Sequence, residues 1–206
     1  MNAVPTRVAG LAGAASIGLL LLGDDGIAGE PPDLHASRAD VERYLQQHGH
    51  VAQWLGHGLA ACSVALLLVF YVALADRSRL PTISRLLGAV AAAIAILGYA
   101  PTIVVAGDRT LTPHEAKLFF DLAHAMFTVS FLAFGLVTLT YAAGSLPRAV
   151  SWTAIVVAAA MIFGALAGPY WEQAYAVIIL WFVWVVGGGL WLALHGQRAV
   201  HAAGTR

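Results

Sequence analysis

The chain has 206 residues, of which 60% are apolar and only 11% are Asp, Glu, Lys or Arg. A soluble domain carries about 25% charged residues, so these figures exclude one, as they exclude a disordered chain and the basic face of a nucleic-acid binder. The apolar runs are continuous rather than alternating, which excludes a β-barrel and leaves an all-α, polytopic membrane protein: one transmembrane domain built as a six-helix bundle.

The apolar runs, read between charged or turn-rich breaks, predict spans at about 8–23, 51–75, 86–106, 118–143, 152–168 and 175–194. The first has two readings. Arg7, an apolar core and the small residues Gly26-Ile27-Ala28 have the layout of a signal peptide. Gly10, Ala14 and Gly18 instead form a small-residue seam suited to helix packing, which favours a retained helix.

Residues 24–50 form the one long connection. It opens with Asp24-Asp25-Gly26 and Pro31-Pro32, a turn-rich polar strip. Ser37 followed by Asp40 three residues on predicts a capped helix start, and Val41, Tyr44, Leu45 and His48 follow at helical spacing. Residues 38–48 are therefore expected to form a short amphipathic helix that lies in the interface or caps the bundle.

The second segment places His50, Gln53 and His57 on one face, among the small residues Ala52, Gly56, Gly58 and Ala60. The lone cysteine, Cys62, falls in the same apolar run and is expected to be an inert packing residue. Tyr99 and Thr102 lie at comparable depth in the third segment.

The fourth segment opens on Thr112-Pro113-His114-Glu115, with Thr as N-cap, Pro at the first helical position and Glu at the third. His114, Lys117, Asp121, His124 and Thr128 then recur on one face. Ionisable groups inside an apolar run normally face the bundle interior or water. Glu172 precedes the sixth segment, beside Tyr170 and Trp171. Within that segment Trp181, Trp184 and Trp191 are expected to pack or anchor, and Gly187-Gly188-Gly189 to mark a kink or a close helix contact.

Orientation follows from the basic residues. One side holds Arg7, Arg77, Arg79, Arg85, Arg148, Arg198 and Arg206; the other holds Arg38, Arg43, Arg109 and Lys117. Seven against four places both termini in the cytoplasm. Of the eleven acids only Asp76 falls on the inner side, so the zero net charge is a cancellation across the membrane.

The polar residues therefore gather toward the outer side, with His57, Asp121 and His124 at the centre of the expected cluster and Gln53, Tyr99 and Glu172 around it. One reading is that they only fix helix packing. A second is a pocket for a lipid or small apolar ligand with one polar end. A third is a metal or haem site using His57 and His124, although no His-Glu-x-x-His or paired Glu-x-x-His pattern occurs. A fourth is an intramembrane enzyme with Asp121 as general acid and His124 or His57 as base. A proton or ion pathway would need polar residues along the whole membrane depth, and the inner halves look dry. Which cofactor, if any, it takes is left unknown by the sequence. Beyond the lipid bilayer, the partners to consider are a lipid or apolar ligand, another subunit or a second copy, and not nucleic acid.

The stretches Glu30-Pro31-Pro32-Asp33, Val41-Glu42-Arg43-Tyr44-Leu45, Leu66-Leu67-Leu68-Val69-Phe70-Tyr71, Leu111-Thr112-Pro113 and Phe120-Asp121-Leu122-Ala123 resemble uncharacterised six-helix membrane proteins common in actinobacteria. These are similar to a wider bacterial membrane family of unknown function. The resemblance covers most of the chain and implies a six-helix fold in a plasma membrane. It implies no activity, substrate or catalytic residue.

Overall fold

The computed structural model describes residues 6–142, 146–167 and 174–195. Its elements are α1 (Thr6–Leu21), a π-helical turn (Leu22–Ala28), α2 (Arg38–Gln47), α3 (His50–Ala75), α4 (Pro81–Gly107), α5 (Pro113–Tyr141), α6 (Arg148–Ala167) and α7 (Ala174–His195). Among the described residues six helices are long and apolar enough to cross a membrane, the first running continuously from Thr6 through the π turn to Ala28. The protein is an all-α integral membrane protein with these six spans.

The helices begin where the sequence chemistry allows. Thr112 accepts from the Glu115 amide and Glu115 returns the bond to the Thr112 amide, with Pro113 at the first helical position. Ser37 and Asp40 make the same reciprocal box at the start of α2. Pro81, whose missing N–H costs nothing in a first turn, starts α4 five residues before the apolar run predicted at 86.

The long helices form a ring in chain order. The helix α1 packs on α3, α3 on α4, α4 on α5, α5 on α6, α6 on α7, and α7 returns to α1. Aromatic side chains fill the interior. Tyr71 is fully buried between Phe134, Tyr141 and Trp184, and its hydroxyl accepts from Trp181 Nε1 at 2.9 Å and lies 3.2 Å from Thr138 Oγ1. Burying such rings is worth more in packing than in hydrophobicity here, because lipid is as apolar as the core.

The ring closes through glycine. A Cβ on Gly189 would meet the Gly10 carbonyl oxygen at 2.6 Å, and one on Gly10 would meet the Ala193 amide nitrogen at 2.6 Å. Of the triple glycine of α7 it is Gly189 that makes the close helix contact, while Gly187 faces open space, and the helix runs through all three without a break. The expected Gly10–Ala14–Gly18 seam holds only in part. Gly10 touches α7 and Gly13 lies under the Phe70 ring, whereas Gly18 faces open space.

Two ends can be distinguished. One carries Arg77, Arg79 and Arg85, with Arg85 paired to Asp76. The other is capped by α2, whose Val41 and Tyr44 are buried against Val105, Ala116 and Phe120 at the ends of α4 and α5. The segment expected to lie in the interface or cap the bundle therefore caps it. Cys62 is a correction: it is exposed on the outside of α3, midway along the span, and packs in no core. A helix apolar all round gives no periodic signal for which side is buried.

Candidate functional site

Three helices bring polar groups together beneath the cap. Asp24 comes from the π turn, His57 from α3 and Tyr99 from α4. Asp24 Oδ1 lies 3.2 Å from His57 Nδ1, and its Oδ2 accepts from the Tyr99 hydroxyl at 2.7 Å. His57 is 2% exposed and Tyr99 4%, whereas a quarter of the Asp24 side chain reaches the surface.

Backbone contact sets this geometry. Gly23 lies against Gly56 and Ala60 with no room for a side chain on either glycine: a Cβ on Gly56 would come within 2.6 Å of the Ala28 amide nitrogen. The first span can approach α3 only because both positions lack a Cβ, and that approach delivers Asp24 to the imidazole one residue beyond Gly56. On the far side Tyr99 is held by Phe127, whose ring packs edge-on at 4.7 Å and also lies against Gly98.

The neighbouring turn of α3 completes the site. The Gln53 amide donates to the His48 carbonyl at 2.8 Å, which fixes the amide's orientation. Its Oε1 has no hydrogen-bond partner, although Gln53 is 1% exposed. His57 Nε2 is likewise buried and unpartnered. Each such atom costs about 1–3 kcal/mol if nothing meets it. The carboxylate has its two oxygens directed at donors, so Nδ1 carries the proton. In the neutral ring Nε2 is then an acceptor or base.

Asp121 and His124 find their partners outside this group. Asp121 pairs with Lys117 one turn earlier on α5, and Lys117 also donates to the Leu34 carbonyl at 3.0 Å. His124 Nδ1 lies 2.9 Å from the Phe120 carbonyl of its own helix. The buried face of α5 is instead Ala116, Phe120, Ala123, Ser130, Phe134 and Val137, so the polar stripe at 117, 121, 124 and 128 runs half-buried along its edge. His57, Gln53 and Tyr99 are brought together, Asp121 and His124 bond within α5, and Glu172 lies outside the described residues. No three His, Cys, Asp or Glu side chains converge as a metal set among the described residues.

Asp24 is the residue that sequence reasoning missed, having been read as the start of the loop. A signal was present. The apolar run at 8–23 is 16 residues, short of the roughly 20 a span needs, so the helix had to continue into the acidic pair. The cap then covers this end. Tyr44 donates to the Ala28 carbonyl at 3.1 Å, and its burial, with Asp24 nearby, pushes the phenol above its usual range. Gly29 takes φ +74°, and its missing side chain makes room for the His48 ring. His50 Nδ1 lies 3.0 Å from the Ala106 carbonyl and ties the start of α3 to the end of α4.

No family model, curated protein or solved structure matches this chain.

Proposed function

We propose that this integral membrane protein binds a lipid or small apolar molecule by its polar end, at a site beneath the α2 cap on the outer side of a bacterial plasma membrane. The observation that carries this reading is the pair of buried, unpartnered atoms, His57 Nε2 and Gln53 Oε1, on one face of α3. Buried polar atoms are as a rule hydrogen-bonded; Trp184 Nε1 is a single unmet donor in the aromatic interior, whereas these two acceptors stand one turn apart beside Asp24. The basic residues at the opposite end support an outward-facing site with both termini cytoplasmic. The resemblance noted from the sequence supports the bacterial setting.

Gently purified protein should carry a bound small molecule or lipid in native mass spectrometry, and His57→Leu or Gln53→Leu should release it. Wild-type protein free of any such molecule, in lipid as well as in detergent, would sink the proposal.

One observation favours a second reading, an intramembrane acid–base enzyme. A carboxylate holding imidazole Nδ1 leaves Nε2 as a base, the arrangement used in general base catalysis. The carboxylate in this reading is Asp24, and Asp121 serves its pair with Lys117 instead. Turnover of a candidate substrate that survives Asp24→Asn unchanged would reject this reading.

A further inference from the structure

We infer that the polar end accepted at this site is a primary ammonium group, a head that carries positive charge and more than one N–H. The inference rests on the ligand-binding reading and names the chemistry of the same site.

The hydrogen-bond inventory selects the head. Tyr99 gives its one proton to Asp24 Oδ2, and His57 gives the Nδ1 proton to Asp24 Oδ1. Gln53 gives an amide proton to the His48 carbonyl. The two atoms left unmet, His57 Nε2 and Gln53 Oε1, both accept. A carboxylate, phosphate or ester carbonyl offers further lone pairs and would meet only repulsion. A simple alcohol has one O–H and satisfies one atom of the two. Residues four apart on a helix have Cβ atoms about 5–6 Å apart, a gap that one small head with diverging N–H bonds can bridge.

Charge points the same way. Asp24 and Asp25 follow one another in the same turn at this end of the bundle. At the same end Lys117 pairs with Asp121 and Arg43 with Asp40. A cationic head suits a site whose acidic residues, Asp24 and Asp25, stand on the facing turn.

The test uses the full chain in zwitterionic-lipid nanodiscs. Binding of octylammonium is compared with octyltrimethylammonium, octanol and octanoate, by thermal stabilisation and by native mass spectrometry. The two cations share charge and tail and differ in N–H count. Octylammonium should bind at least about tenfold tighter than octyltrimethylammonium, the scale of one unmade buried hydrogen bond. Gln53→Met should collapse that ratio toward one, and Asp24→Asn should weaken both cations. Equal binding of the two cations, or preference for octanol or octanoate, overturns the inference and leaves a ligand site of other chemistry. Saturable binding by none of the four overturns the ligand-binding reading itself, and this inference with it. The wild-type comparison decides the matter even where a variant fails to fold.

Discussion

Gly56→Ala and Gly58→Ala change the same helix by the same atom, two residues apart, and should have opposite signs. At Gly56 the new Cβ would lie 2.6 Å from both the Ala28 amide nitrogen and the Ala28 Cβ, and closer still to the Gly23 carbonyl. Ordinary non-bonded contact is about 3.5–4.0 Å, so the first span must retreat by about 1 Å from α3. The obstructing atoms belong mainly to backbone and cannot rotate aside. Overpacking of this kind costs about 1–3 kcal/mol. The retreat also stretches the 3.2 Å contact between Asp24 and His57. At Gly58 nothing lies within 4 Å, and the substitution gains up to about 1 kcal/mol of helix propensity. A chain of this length shifts its Tm by about 2–4 °C per kcal/mol. Thermal unfolding in nanodiscs, followed by tryptophan fluorescence, should show Gly56→Ala lowered by several degrees and Gly58→Ala unchanged or raised. Equal Tm values for the two variants would refute the claim that backbone contact between the first span and α3 positions the site.

Tyr44→Phe removes the bond to the Ala28 carbonyl and should cost about 1 kcal/mol; hydrogen exchange should quicken across residues 29–48 while the spans stay protected. The Asp40 carboxyl is held below its usual value by the Ser37 hydroxyl and then by the Ser37 amide. Its folded pKa is therefore depressed, so its contribution is present above the unfolded value of about 3.9 and is lost as pH falls through the folded value. Exchange of residues 38–47, corrected for intrinsic rates, should quicken below about pH 4, and Asp40→Asn should abolish that dependence. For orientation, Arg79→Cys and Arg109→Cys can be compared in a Cys62→Ser background. An impermeant maleimide should label Arg109→Cys in intact cells and Arg79→Cys only after lysis; the reverse pattern would invert the topology. Cys62 itself, exposed in mid-span, should resist the charged reagent and react with a membrane-permeant one.

Much of the site was legible residue by residue. The spacing of Gln53 and His57 placed them on one face, and both are buried there. The boxes at Ser37–Asp40 and Thr112–Glu115 were legible because a cap is local chemistry, set within four residues. The stripe on α5 finds its partners within its own helix because its polar residues sit about one position from the buried face. A side chain 100° from the core, with its own partner one turn away, satisfies itself along the helix edge.

The sequence by itself determined the class, the six spans and the short capped helix, since hydrophobic length and capping are properties of contiguous residues. It also held the basic asymmetry from which orientation is read. Only the tertiary structure decided which polar groups meet. Helices that are apolar on every side carry no record of their neighbours, so the ring order, the lipid-facing position of Cys62 and the Gly10–Gly189 seam follow from packing. The decisive case is Asp24. It lies 33 residues from His57 and 75 from Tyr99, and it reaches both because Gly23 and Gly56 let two backbones touch.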